Sequence, residues 1–588
     1  MIRFRLPIPL RFFLILLTIL VMGFFFADLI ALGYNIKAAL PELHATRVCQ
    51  QWHQYASEWF TTFLYAFLTS SLQVFFGVLF AVLICFYWAR RRGRLNITSG
   101  LVYFTLLPYL VPIATLTLIA GRWARDHSLL HGIWAWGLLI IISVWQYFPF
   151  VYLLTFEQLL TLTPRSWIAL ESEGAGFWEA YRNLLWPKVF EILGFVFLLR
   201  FLWMYTKVDI IRYLLNDKGT PGRFIHVNIY GLCESGDLQP EAALRSIIMM
   251  VAIALLTIAM WVLSRRRSWL FRPFRKRSAK SSMVLFSPSP VPIPPVPQTI
   301  ERHVLPQAFR RYFMGFLLLI IVSAPLIFLV LISVWPNDYI FGVEGDELRQ
   351  AWKNILSSFF SSKIDNIESE IGRWLLQSII LAVVASFIYT FLMSMIAYAL
   401  LREARLSRIG KDRFVKWISI IAYAVPVIAI ALPLNKFFRR WECDTIWCNY
   451  GKLLIAQGFY LWPFCLWLAF RQLGSIRQRT ELYALSEGAS IWKILEIAVI
   501  PQFSRRAIAI FLLAFAISMN ELIFATCLIH TEAYNTLPLG LVQKISELEG
   551  TSPGPLLVIT TLTIFLGLAL FLVMWWTSLP RTRSKNHD

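Results

Sequence analysis

Long apolar runs dominate this chain and constrain its fold more than any other feature. Twelve can be marked, at about 10–34, 59–88, 98–120, 132–156, 189–209 and 243–264, then 313–335, 373–400, 416–436, 451–471, 505–529 and 554–578. Crossing a bilayer as a helix takes roughly 20 residues. Inside lipid the backbone must satisfy its own hydrogen bonds, so these runs are expected to be helical. A membrane barrel would need alternating strands of about 10 residues. The runs here are longer and apolar all round, which argues against a barrel. The run at 10–34 is too long for the apolar region of a signal peptide and reads as a retained helix. The expected fold is an all-α membrane protein of about 12 transmembrane helices.

Composition agrees. Residues of the set AVILMFWYC make up 58% of the 588, above the roughly 45–50% of soluble domains. A net charge of +21 would suggest nucleic acid in a soluble protein. In this chain the basic residues instead mark cytoplasmic loops, and the partner they imply is the lipid bilayer, with no nucleic acid. Arg90, Arg91, Arg92 and Arg94 follow one run, and Arg265, Arg266, Arg267, Arg272, Arg275, Lys276, Arg277 and Lys280 follow another. Both termini then fall in the cytoplasm. The loop at 336–372 falls outside and carries Asp338, Glu344, Asp346, Glu347, Asp365, Glu368 and Glu370.

The seven cysteines do not make a disulfide framework. Cys85, Cys465 and Cys527 fall inside apolar runs and are expected only to pack. Cys443 and Cys448 share a predicted outer loop, where a local disulfide or two free thiols both fit. Cys49 and Cys233 are a second, weaker pair. No His cluster accompanies them, so no metal site is expected.

The two halves repeat each other. At an offset of 314 residues, Pro112 matches Pro426, Pro149 matches Pro463, Glu173-Gly174-Ala175 matches Glu487-Gly488-Ala489, Trp178 matches Trp492 and Pro187 matches Pro501. Each half has an even number of spans, so the two six-helix repeats are parallel, with a translocation path expected at their interface. The first half covers 1–270, with a core at 59–264 and a loop at 160–190. The second covers 313–588, with a core at 373–578 and a loop at 472–505. Between them, 271–312 is basic and proline-rich; "SPSPVPIPPVPQ" reads as a semi-rigid extended spacer.

Each repeated loop lies before the fifth span of its half, on the cytoplasmic side. Thr163-Pro164 is a helix start, and Gly174 permits a sharp turn. A second short helix then leads to Pro187 and into the membrane. Gly488 and Pro501 repeat the pattern. The apolar residues Phe177, Trp178, Tyr181, Ile491, Trp492 and Leu495 would pack on the protein's own helices or fill a groove on a partner.

A glycine followed thirteen residues later by proline, in such a loop, resembles the "EAA" loop of ABC importer permeases. The leading Glu-Ala-Ala is replaced by "IAL" at 168–170 and "LYA" at 482–484, while Glu173-Gly174-Ala175 and Glu487-Gly488-Ala489 remain. "LLPYLVPIATLTLIAGRW" (106–123), "WQYFPFVYLL" (145–154), "VDIIRYLLNDKGTP" (208–221), "NELIF" (520–524) and "NTLPLGL" (535–541) look like the two permease subunits of maltose-type carbohydrate importers. The resemblance implies a type I importer permease fold in a bacterial inner membrane. It implies a path for a carbohydrate or sugar derivative, two ABC ATPase subunits, and a periplasmic or extracellular substrate-binding protein. Each loop would dock into one ATPase subunit. Fused halves are also familiar among ferric-iron and thiamine importers, which keeps those cargoes open.

The chain has no phosphate-binding G-x-x-x-x-G-K-[ST] loop. ATP hydrolysis is therefore expected on the separate subunits, with no cofactor in this chain and no catalytic residue. An ion-coupled secondary transporter is the rival from another class; it gives no reason for the twin loops.

Ionisable residues at membrane depth are functional suspects. Arg200 and Lys207 are seven apart and share a helix face, which Asp209 ends; Lys207 and Asp209 also fit an anchoring role at the interface. Gln146, Trp203, Tyr205 and Thr206 suit a sugar, whose hydroxyls take hydrogen bonds and whose C–H faces lie on aromatic rings. Asn520 and Glu521 match a family Asn-Glu pair; either substrate contact or an interhelical hydrogen bond between the halves fits them.

Overall fold

A computed structural model describes residues 45–85, 107–129, 132–159, 177–215, 244–255, 320–331, 344–359, 367–402, 427–438, 445–474, 486–529, 534–544 and 554–578, with isolated positions between them. Among these residues every regular element is helical. Six helices are long and apolar enough to cross a membrane: His53–Ile84, Ile133–Phe156, Ile367–Arg402, Trp447–Gly474, Ile500–Met519 and Gly554–Val573. Four shorter apolar helices join them, at Ile192–Thr206, Leu244–Leu255, Ile320–Leu331 and Ala429–Phe438. The expected span at 10–34 and the spacer at 271–312 lie outside the described residues.

The principal elements are α1 (Ala45–Ile84), α2 (Ile113–Asp126), α3 (Gly132–Leu159), α4 (Trp186–Thr206), α5 (Asp209–Leu215), α6 (Gly345–Ser358), α7 (Ile367–Arg402), α8 (Val427–Phe438), α9 (Ile446–Gly474), α10 (Ile500–Met519), α11 (Ile523–Leu528), α12 (Leu537–Gln543) and α13 (Gly554–Ser578). In the first part α1 packs on α3 and α4, and α2 on α5; in the second α7 packs on α9 and α10, and α8 on α11. The last helix, α13, packs on α2, and Trp145 Nε1 in α3 donates to the carbonyl of Ile321 at 2.9 Å. The Phe195 ring lies tilted against Trp467 at 4.8 Å and Phe150 against Phe464 at 5.9 Å. One continuous apolar core therefore runs through both parts.

Several elements begin 314 residues apart. The pairs are α2 and α8 (Ile113, Val427), α3 and α9 (Gly132, Ile446), α4 and α10 (Trp186, Ile500), and α5 and α11 (Asp209, Ile523). The short helices Phe177–Ala180 and Ile491–Ile494 keep the same spacing, as do the π turns Tyr181–Leu185 and Leu495–Val499. Pro187 and Pro501 are the second residues of α4 and α10, which begin where these π turns end. A proline has no N–H for the carbonyl four residues earlier. The wider i→i+5 turn offers that carbonyl the next residue's N–H instead.

Close helix contact rests on small residues. A Cβ placed on Gly77 in α1 would lie 2.6 Å from the Val151 Cβ and 2.9 Å from the Tyr152 nitrogen of α3. At Gly137, also in α3, it would meet nothing within 4 Å. Gly77→Ala is expected to destabilise the protein by about 1–3 kcal/mol through overpacking. Gly137→Ala should stabilise it by about 0.4–1 kcal/mol. Thermal unfolding in detergent checks both; equal midpoints would contradict the packing argument.

Candidate functional site

The site is built where two membrane helices stop early. The helix α4 ends at Thr206, Lys207 turns to extended geometry (φ −82°, ψ 112°), and α5 restarts at Asp209. Its counterpart α10 ends at Met519, and α11 restarts at Ile523. The unbroken span expected at 505–529 is therefore interrupted at Asn520–Leu522, a correction to the sequence reading. No glycine or proline stands in either break; side chains hold them open. The Glu521 carboxylate accepts from the Phe524 N–H at 2.6 Å and the Ala525 N–H at 3.2 Å. These are first-turn donors of α11, which have no partner within their helix. Asn520 Oδ1 accepts from the Ile113 N–H at 2.6 Å, and its Nδ2 donates to the Ala516 carbonyl at 2.7 Å. In the first part Asp209 stands in the opening turn of α5, where a negative charge is favourable.

Non-helical backbone at membrane depth survives only where protein covers it or it lines a cavity. Both breaks face one cavity, between α3, α4 and α5 on one side and α8, α9, α10 and α11 on the other. Tyr109, Tyr147 and Trp203 wall one side, and Phe459 and Tyr460 the other. Thr206, Lys207, Asp209, Asn520 and Glu521 supply its polar rim. Lys207 Nζ lies 2.5 Å from Asp209 Oδ2, with side chains 11% and 4% exposed. Thr206 Oγ1 donates back to the carbonyls of Leu202 and Trp203 at 3.2 and 3.1 Å. The Tyr109 hydroxyl is buried without a hydrogen-bond partner among the described residues. The arrangement offers flat apolar surfaces on two sides and charged or hydroxyl groups along one edge.

Of the residues expected on the path, Trp203, Thr206, Asn520 and Glu521 line this cavity. Gln146 and Tyr205 do not: Gln146 Nε2 donates to the Val111 carbonyl at 3.0 Å, and Tyr205 is buried on Phe201 at 5.6 Å. Asn520 makes a hydrogen bond between the two parts, while Glu521 bonds within its own. Arg200 sits behind the wall, fully buried. Its Nε donates to Gln73 Oε1 at 2.8 Å, and its guanidinium lies 4.7 Å from the Tyr147 ring and 5.1 Å from Trp203. Sequence reading missed Tyr109, Tyr147, Phe459 and Tyr460. The signal was present in "WQYFPF" (145–150) and "FYLWPF" (459–464), aromatic clusters around Pro149 and Pro463 at the 314-residue spacing.

Gly488 has φ +77°, a left-handed conformation that side chains resist. The Ala489 N–H reaches the Ala484 carbonyl at 3.0 Å, the six-to-one bond that ends a helix on such a glycine. Ser490 then begins the next turn: its carbonyl accepts from the Ile494 N–H at 2.9 Å and its Oγ from the Lys493 N–H at 3.4 Å. Pro501 is the second residue of α10, six residues after the π turn begins at Leu495, and Glu487 is exposed in the glycine turn. In the other loop Glu173, Gly174 and Ala175 lie outside the described residues. Trp178 is 75% exposed and meets Tyr181 edge-on at 5.9 Å, and Pro187 is exposed. The side chain of Trp492 lies outside the described residues. Partial burial raises the Tyr181 hydroxyl above its ordinary pKa. Cys448 is disulfide-bonded, and Cys443, the partner the sequence offers, lies outside the described residues. Cys85, Cys465 and Cys527 are free and buried.

Asn520→Ala would leave the buried Ile113 N–H without its acceptor. It is expected to cost about 1–3 kcal/mol. Thr206→Val, which removes only a bond to its own helix, should stay within about 0.5 kcal/mol. Thermal unfolding in detergent separates them; matching losses would contradict the assigned roles.

No family model matches the chain. Over 84 residues it is 30% identical to the inner membrane ABC transporter permease protein YcjO of Escherichia coli (strain K12), and equally to the protein of that name from Shigella flexneri. The match covers 13% of this chain and 29% of each relative's length. With the apolar helices, this partial homology supports a transmembrane ABC permease.

Proposed function

We propose that this chain is the permease component of an ATP-driven importer, with both halves in one polypeptide and twelve spans in two parallel six-helix repeats. One observation carries the reading. The Gly-to-Pro loops lead through matching π turns into α4 and α10, and these two helices break at the same register to wall one cavity. A pull on either loop therefore acts on a helix that shapes the path.

Two ATPase subunits would each take one loop. The exposed apolar side chains Trp178, Tyr483 and Ile497 suit a groove on such a partner. ATP-driven closure of the pair would draw the loops together and turn the cavity outward, where a substrate-binding protein delivers cargo; hydrolysis would reset it. Cargo biases this cycle only by binding one state better than the other. The cavity suits a carbohydrate or sugar derivative. The rings of Tyr109, Tyr147, Trp203, Phe459 and Tyr460 can lie on apolar C–H faces, and Lys207 and Asp209 can meet hydroxyls.

Uptake of a labelled disaccharide, ferric iron and thiamine by cells carrying the full system tests this reading. Disaccharide uptake should depend on the ATPase and persist with an ionophore. Collapse with the ionophore and indifference to ATPase loss would instead indicate ion coupling. Gly488→Glu places a side chain where φ is +77°. With Gly174→Glu, it should leave the chain in the membrane and lower uptake at least about tenfold, the equivalent of about 1.4 kcal/mol. Unimpaired uptake by both variants would refute the coupling role.

A further inference from the structure

We infer that Arg402 and Glu481 form a strut that carries movement of the second loop into helix α7. The inference rests on the coupling role proposed above for that loop.

Arg402 is the last residue of α7, and its Nη2 donates to Glu481 Oε1. The Tyr398 hydroxyl donates to Glu481 Oε2 at 3.5 Å, and the Arg402 guanidinium lies 5.3 Å from the Tyr398 ring. The ion pair is buried, with side chains 7% and 4% exposed. A buried pair resists separation because parting it strands two desolvated charges. Glu481 is also close in the chain to the Gly488 turn. The carbonyls of Tyr483 and Ala484 accept from the N–H groups of Glu487 and Ala489 at 3.1 and 3.0 Å. The strut therefore grips the segment that the turn terminates.

What it grips is a rod. At 36 residues and about 1.5 Å per residue, α7 is roughly 54 Å long, beyond the roughly 30 Å hydrocarbon layer. Its opposite end is fixed as well. Ser378 Oγ accepts from the Leu537 N–H at 2.7 Å, and a Cβ on Gly540 would fall 2.3 Å from Trp374 Cδ2, so α12 is seated directly on α7. At Gly372 a Cβ would fall 2.9 Å from the Ile355 carbonyl, which seats α6 in the same way. Movement entering at Arg402 would reach α6 and α12 at the far end, by a route separate from the chain connection through Pro501 into α10. The residues 314 positions before Arg402 and Glu481 are Trp88 and Trp167, which carry no charge.

The test needs no cargo. Amide hydrogen exchange is followed on the full chain purified in detergent, as wild type, Arg402→Met, Glu481→Gln, and the exchanged pair Arg402→Glu with Glu481→Arg. Each single variant should speed exchange of residues 487–494 by about tenfold or more, and the exchanged pair should return it to near the wild-type rate. A second arm uses the chain assembled with its ATPase, with and without vanadate-trapped nucleotide. Trapping should change exchange at 390–402 in wild type and in the exchanged pair, and leave it unchanged in Arg402→Met. Single variants with unaltered exchange at 487–494, or an exchanged pair as fast as the singles, would overturn the strut. A wild-type α7 that ignores trapped nucleotide, while the first arm behaves as expected, would overturn its part in transmission and count against the ATP-driven reading.

Discussion

The bonds that Asn520 and Glu521 make to backbone N–H groups hold the cavity open. A helix broken inside a membrane exposes donors and acceptors that lipid cannot satisfy. Glu521 answers the free donors of α11, and Asn520 answers the first donor of α2 across the interface between the two parts. Without them the break would have to close into continuous helix or be covered by other protein. With them α10 can stop at Met519, and the space beyond becomes a polar rim set against aromatic walls. The first part makes its break with different chemistry, an ion pair between Lys207 and Asp209.

That difference matters because the backbone spacing is shared and the side chains are not. Thr206, Lys207 and Asp209 stand opposite Asn520, Glu521 and Ile523 in register. A shared spacing therefore yields a cavity with two unlike sides. An asymmetric cavity suits a cargo held in one orientation, since each side can offer a different partner.

Much of the arrangement was legible beforehand. The apolar runs gave helices close to those observed, because backbone satisfaction in lipid leaves few alternatives. The Gly488 turn was legible because a left-handed position and a helix terminus both favour glycine. The helix breaks were not. Sequence marks a break by proline or glycine, and neither stands at 207–208 or 520–522. Nor was the partner of Gln146 legible: it is polar in an apolar run, and its side chain donates to the Val111 carbonyl.

The sequence by itself determined helices of membrane length, a 314-residue spacing and two sharp turns each followed by a proline. These follow from local physics: hydrophobicity, backbone satisfaction and the conformational limits of glycine and proline. Only the tertiary structure decided where α4 and α10 stop, which aromatic rings face one another, and which charged groups pair. Those choices depend on hydrogen bonds between residues far apart in the chain, such as Asn520 with Ile113 and Arg402 with Glu481, and no local pattern encodes such partners.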